Sequence, residues 1–374
     1  MPTFKHLYIH VPFCGRRCSY CDFSIAVRRE VPWAEFVDAI AAELVARASE
    51  GQIGPLQTIY LGGGTPSKLG AAGLGRLIST LRPLIDEMSP DGSLTIETNP
   101  EDLAGTELPG AVSQLGLRRV SMGVQSFDPA VLDWMHRGHT EATVRTAFAA
   151  LRSHGITDIS LDLIFALPSI LQRDWGSDLA KAIDLRPTHI SLYGLTIEPR
   201  TPLGRWQARG DVDAAPDDRY AEEYLEAVER LTAAGYEHYE VSNFALPGHR
   251  SRHNSAYWQR VPYLGLGPSA HSFDGVSRRW NERAYAAWRD RLAAGEHPTE
   301  GAETLSGDEI LAEEVYLGLR TSDGLAQAPA DAELVGQWHR AGWAAVTDGR
   351  IRMTTEGWLR LDALAAALTA ARSR

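Results

Sequence analysis

The chain has 374 residues, 44% hydrophobic and 23% charged, an ordinary soluble composition with length for two or three domains and a substantial core. Its net charge of −11 argues against a general nucleic-acid binder and against a basic membrane-surface protein. Three cysteines cannot make a complete disulfide framework, MPTFKHLYIHVPF is too short and polar for a signal peptide, and no apolar run approaches a membrane span, so the expected setting is a reducing cytoplasm.

The first predicted element is a strand, LYIHV (7–11), and all three cysteines follow it within FCGRRCSYCDF (13–23). A helix is expected over 33–48, then a strand TIYLGG (58–63) that runs into GGGTP (62–66). Strands SLTIETN (93–99), RRVSMGVQS (118–126), DISLDLIFAL (158–167) and HISLYGLT (189–196) come next. Helical stretches alternate with them; EATVRTAFAALRSHG (141–155) has apolar residues at helical spacing and ends in a helix-stopping glycine. Six strands alternating with helices mean a parallel sheet with crossovers, doubly wound or a barrel. Glu97, Gln125 and Asp162 interrupt or follow apolar β runs, and Thr196 ends the sixth. Polar groups recurring on successive parallel strands favour an α/β fold of the partial (β/α)6 barrel type, with a site towards the strands' C-terminal ends. Taken singly, each also reads as a loop cap or a buried hydrogen-bonding group.

After about residue 200 the rhythm changes. A long helix (218–235) leads into YEHYEVSNFALPGHRSRHNSAYW and then the glycine-rich YLGLGPSAHS (263–272). From about residue 304, two helices and a hairpin around DGRIRMTTEG resemble a winged-helix-like α+β module, too weakly basic for DNA and better suited to packing or partner contact. The expected division is a core over 1–240, a connecting region over 241–303 and a C-terminal module over 304–374.

Cys14, Cys18 and Cys21 are spaced C-x3-C-x2-C. A structural zinc ion wants four ligands, so His6 or His10 would have to supply one. A redox dithiol would leave one thiol unexplained. Three thiolates on one loop can instead hold three irons of a [4Fe-4S] cluster and leave the fourth iron open to another ligand.

With Tyr20 just before the last cysteine, this spacing resembles the radical S-adenosylmethionine superfamily. The resemblance implies that the open iron is chelated by the amino and carboxylate groups of S-adenosylmethionine, whose sulfonium the reduced cluster cleaves to a 5′-deoxyadenosyl radical. GGGTP falls one β/α unit later, where glycines allow close backbone approach to the methionine end of that cofactor. YIHVPFC, GGGTP, GVQSF, DLIFALP and YLGLGPSAHS, in this order, resemble the family that contains oxygen-independent coproporphyrinogen III oxidase and the haem chaperone HemW, over nearly the whole chain. The resemblance implies that Tyr8 lies by the cluster and that Gly63, Gly64, Thr65 and Glu97 meet the cofactor. Gln125, Arg137 and Asp162 match polar positions of the cofactor region; some of these, with Tyr20 and Thr196, hold a second S-adenosylmethionine in the oxidase, and whether they do so here stays open.

Two departures separate this chain from the oxidase branch. Phe23 stands where the oxidase motif has a further cysteine, and the first cluster cysteine is already Cys14, where the oxidase carries an N-terminal extension. HNSAYW (253–258) matches the HNxxYW motif of HemW, offering His253 as an axial ligand for haem iron and Tyr257 and Trp258 as flat faces. The other reading is a hydrogen-bonded histidine among core aromatics. The expectation is a haem chaperone that binds haem and delivers it to apo-haemoproteins, with no catalytic residue assigned and no radical step required. The competing class is an oxidative decarboxylase of coproporphyrinogen III. A homodimer and peripheral membrane contact through partners stay open.

Overall fold

The computed structural model describes residues 3–47 and 52–373; Met1, Ala48 and Arg374, which end an expected core, helix and module, lie outside the described residues. Six parallel strands follow the six apolar runs: β1 (Thr3–Val11), β2 (Gln52–Gly63), β3 (Ser93–Thr98), β4 (Arg119–Gln125), β5 (Asp158–Phe165) and β6 (His189–Gly194). Each pairs with the next in chain order. Ile9, Leu61, Ile96, Val120, Leu161 and Ile190 are buried in them. Helices cover such strands, which therefore read as near-continuous apolar runs. The helices Trp33–Arg47, Gly70–Asp86, Glu141–Ser153 and Trp175–Asp184 send Phe36, Ile40, Leu77, Phe148 and Leu179 into the same core. Thr140 and Asp174 cap the last two by accepting from backbone N–H groups of the first turn.

The sheet extends beyond these six strands on both sides. A hairpin, β7 (Glu237–Glu240) and β8 (Asn243–Ala245), adds antiparallel strands next to β6. Its two strands lie on either side of residue 240, where the expected core was to end. At the other edge, β9 (Leu264–Leu266) pairs in parallel with β1. β9 and β7 are the two ends of the nine-stranded order, so the barrel is an open arc among the described residues. A small antiparallel sheet follows, of β10 (His271–Phe273), β11 (Ser277–Asn281) and β12 (Thr299–Thr304).

The C-terminal residues have a second core around Val315, Trp338, Ile351 and Leu368. Helices Gly307–Arg320 and Ala332–Arg340 precede the hairpin Ala344–Thr347 and Arg350–Met353, the helix and hairpin order of a winged-helix module. Arg320 docks this module: it pairs with the buried Glu240 at 2.9 Å and lies 4.3 Å over the Trp258 ring.

One buried carboxylate ties the segment after the barrel to its first helix. Glu43 is fully buried and accepts from the Gly267 N–H at 2.8 Å, Asn281 Nδ2 at 2.6 Å and Trp288 Nε1 at 2.9 Å. It also pairs with Arg47 at 3.3 Å, and Arg47 in turn donates to Asn281 Oδ1. Burial raises the Glu43 carboxyl above its ordinary range, while Arg47 and the three donors favour the charged form. Gly267 has φ +97°, and a Cβ there would lie 2.4 Å from the His10 carbonyl oxygen, so this turn admits only glycine. Glu43→Ala leaves a buried guanidinium and three donors without their acceptor. We expect it to lower unfolding free energy by about 3–5 kcal/mol, and Glu43→Gln, which keeps one acceptor oxygen, to lower it less; denaturant unfolding measures both.

Candidate cluster and cofactor site

The cysteine loop is pinned where it leaves and where it returns. Phe13–Cys14 pairs with Ala26–Val27, and Ala26 N–H donates to Pro12 O at 2.7 Å. Between these ends, the buried Ser19 donates through N–H to Met135 O at 3.2 Å and accepts from Leu203 N–H at 2.9 Å. Cys14, Cys18 and Cys21 are free, half-buried thiols. Burial pushes the Cys14 thiol up and that of Cys21 up to about 11, so metal binding must displace protons. His6 and His10, the candidates for a fourth zinc ligand, are engaged elsewhere: His6 with Thr58 Oγ1 at 2.9 Å, His10 with Ser24 O at 2.9 Å and Tyr8 Oη at 3.2 Å. Among the described residues, no three His, Cys, Asp or Glu side chains gather around one ion position.

The GGGTP turn packs directly on this loop. Gly64 N–H donates to Val11 O at 2.8 Å, and a Cβ on Gly64 would lie 2.7 Å from the Pro12 carbonyl. Gly63 has φ +110°, and its Cβ would meet the His10 ring at 2.6 Å. Thr65 Oγ1 lies 3.4 Å from Cys14 Sγ. Ser67 and Lys68 hold the turn from below, reaching the Asp102 carboxylate at 2.6 and 2.5 Å.

Glu97 joins that turn to the barrel interior, accepting from Gly63 N–H at 2.9 Å and from Tyr60 Oη at 2.8 Å. Tyr8 stacks on Tyr60 with ring centres 6.2 Å apart. Arg137 donates to Asn99 Oδ1 at 2.7 Å and to Gly123 O at 2.5 Å, and its Nη1 lies 3.7 Å from Cys18 Sγ. Its Nε is buried without a hydrogen-bond partner among the described residues. Three thiols and a cationic donor beside one of them fit a cluster with a small zwitterionic ligand. Asp162 is held by Ser121 Oγ at 3.2 Å, and Gln125 sits at a bulge in β4 with φ +70°. Tyr20 packs on the apolar cluster of Val131, Met135, Ile164 and Leu167. Thr196 is exposed on the loop after β6. Sequence reasoning missed Tyr60 and Asn99: a tyrosine within a strand and an asparagine after one are unremarkable until Glu97 and Arg137 are seen bonded to them.

HNSAYW forms the short helix Arg252–Trp258, capped by Ser251. His253 is 3% exposed, with Nδ1 2.6 Å from Thr58 Oγ1 and Nε2 2.8 Å from Tyr257 Oη. In this conformation both ring nitrogens are engaged, and ligation of iron requires one to be released. Trp258 lies beneath Arg320.

Burial pushes Glu97 up to about 7, with Asp162 adding to the rise and Tyr60 and Gly63 opposing it. Asp162 rises to about 6 for the same first reason, against its serine neighbours. The folded chain thus binds more protons than the unfolded chain between the ordinary carboxylate range and neutrality, and stability falls as pH rises through that window. For ligand-free protein, we expect Glu97→Gln to flatten this fall, removing up to about 3 kcal/mol of it; urea unfolding at about pH 5 and about pH 8 measures the difference.

The sequence pattern of the Radical SAM superfamily matches residues 8–182. A protein of Synechocystis named heme chaperone HemW is 39% identical over 341 residues, covering 88% of this chain and 81% of that one. Its namesake in Mycobacterium tuberculosis is 34% identical over 368 residues, covering 96% and 93%. Among solved structures, the Escherichia coli coproporphyrinogen III oxidase HemN, described as a radical SAM enzyme, superposes with a TM-score of 0.80 at 22% identity, covering 98% of this chain and 90% of that one. At that identity the likeness concerns the fold. The extent of the sequence matches, on a chain whose GGGTP turn packs against its three-cysteine loop, shows that it belongs to the radical SAM superfamily, within the family of the proteins named heme chaperone HemW.

Proposed function

We propose that this chain is a haem chaperone of the reducing cytoplasm, which binds haem and delivers it to apo-haemoproteins. The observation that carries the reading is the identity of 39% with a protein named heme chaperone, across most of both chains. Phe23, where the oxidase motif has a further cysteine, supports it. Cys14, Cys18 and Cys21 would hold a [4Fe-4S] cluster, and Gly63, Gly64, Thr65 and Glu97 would receive S-adenosylmethionine. Such a cluster would supply a fourth iron for S-adenosylmethionine to chelate and single electrons for its sulfonium.

The chain's own residues set the conditions for that binding. Gly63 and Gly64 keep the turn free of side chains next to the cluster loop. Glu97 offers a carboxylate that a cationic ligand would draw into its charged form. Arg137 places a positive charge beside Cys18, where it would face an anionic cluster. Gln125 ends β4 and Thr196 follows β6, Tyr20 lies in the cysteine loop, and Tyr8 and Asp162 sit within β1 and β5; one or two cofactor molecules would lie among them. Haem handover is binding and release, and no residue needs a catalytic role for it.

Anaerobic reconstitution should give about four irons and four sulfides per chain, and alanine at Cys14, Cys18 and Cys21 should abolish the charge-transfer absorption. The reconstituted protein should bind haem in a titration and leave coproporphyrinogen III unconverted with S-adenosylmethionine and a reductant. A stoichiometric zinc site without an iron–sulfur signal would defeat the cluster assignment. Formation of protoporphyrinogen IX would replace the chaperone by the oxidase.

A further inference from the structure

An open cleft of about 360 Å³ lies between the end of the cysteine loop and the segment that follows HNSAYW. Two histidines line it, and they differ. Both nitrogens of His10 are engaged, with Ser24 O and Tyr8 Oη. His271, the first residue of β10, is exposed, and among the described residues neither of its ring nitrogens makes a hydrogen bond. Its position is nevertheless fixed. It pairs across the strands with Trp280, and the two rings stack at 5.9 Å and 29°. The turn before it is the Gly267 turn that Glu43 and Asn281 clamp.

The remaining walls supply flat apolar surface and positive charge. Tyr257 and Tyr263 meet edge to face with ring centres 4.6 Å apart, and Phe23, 66% exposed, stands on the cleft's outer lip. Arg200 and Arg283 both turn to one acidic residue: Arg200 lies 3.1 Å from Asp22 Oδ2, and Arg283 donates to Asp22 O at 3.1 Å. Two guanidiniums against one carboxylate leave a local positive excess in a chain whose net charge is −11. Guanidinium groups pair with carboxylates through two parallel hydrogen bonds. A free imidazole, aromatic faces and paired guanidiniums together suit a flat, iron-bearing macrocycle with two carboxylates.

Resting on the haem-binding reading above, we infer that this cleft is where haem binds, with His271 as an iron ligand and Arg200 and Arg283 receiving the propionate carboxylates. The assignment differs from one built on His253, whose nitrogens are spent on Thr58 and Tyr257 in the core. A ligand held in an open cleft leaves one edge and one face within reach of a recipient protein. Tyr257 still connects the two places, since it bonds His253 with its hydroxyl and lines the cleft with its ring.

The test titrates ferric haem into the anaerobically reconstituted full chain and into His271→Ala, His253→Ala and the double variant Arg200→Gln, Arg283→Gln, with melting temperature and iron content as folding controls. We expect His271→Ala to weaken haem binding roughly tenfold or more and to shift the Soret band, and added free imidazole to restore the wild-type band. The double arginine variant should lose a similar factor for haem and lose the wild type's preference for haem over its dimethyl ester, whose carboxylates are blocked. A folded His271→Ala protein with wild-type affinity and spectrum overturns the site while leaving the haem-binding reading intact; loss of the Soret shift in His253→Ala instead would return the ligand to HNSAYW. Wild-type protein that takes up no haem overturns the haem reading itself, and this site with it.

Discussion

The buried Glu43 carboxylate decides where the chain goes after the barrel. A charge removed from water is tolerated only when its lone pairs find donors, and here Gly267, Asn281 and Trp288, all more than 220 residues further along the chain, supply them beside Arg47. Satisfying that one group brings the 264–281 segment onto the first helix. With it β9 settles beside β1, and the carbonyl of His10 comes close enough that Gly267 can carry no side chain. The faces that look towards the cysteine loop, Tyr263 and His271 among them, inherit their positions from this clamp.

Glu97 plays a comparable part on the other side of β1. It accepts from the Gly63 N–H and from Tyr60, so the glycine turn, which has few side chains of its own to hold it, is fixed by a neighbouring strand. The turn then presses on Val11 and Pro12, immediately before Cys14. Two motifs that are separate in sequence thus share one wall. The chemistry of the loop depends on backbone contacts that no thiol makes.

Much of this was legible in the sequence, and the reason is burial on both faces. β1 to β6 read as apolar runs because helices cover the sheet, and polar residues such as Glu97 and Asp162 stood out against them. β9 was not legible: three residues, one of them glycine, carry no pattern, and only pairing with β1 makes them a strand. Nor could sequence separate the two readings of His253, which differ only in whether Thr58 and Tyr257 lie within reach. His271 was passed over within a glycine-rich run, because what singles it out is the lack of a hydrogen bond to its ring among the described residues.

The arc of strands stops short of a ring, and that sets how the molecule can yield. In a closed barrel every strand has two neighbours, so widening the interior means breaking a ladder of hydrogen bonds somewhere around the circumference. Here, among the described residues, β9 and β7 each have a single partner strand in the sheet. Each margin is held by a partner outside the sheet: Glu43 clamps the turn after β9, and Arg320 of the C-terminal module pairs with Glu240 at the end of β7. The margins of the arc are therefore set by side-chain clamps, while the middle strands, which carry Glu97 and Asp162, are held by strand pairing on both sides.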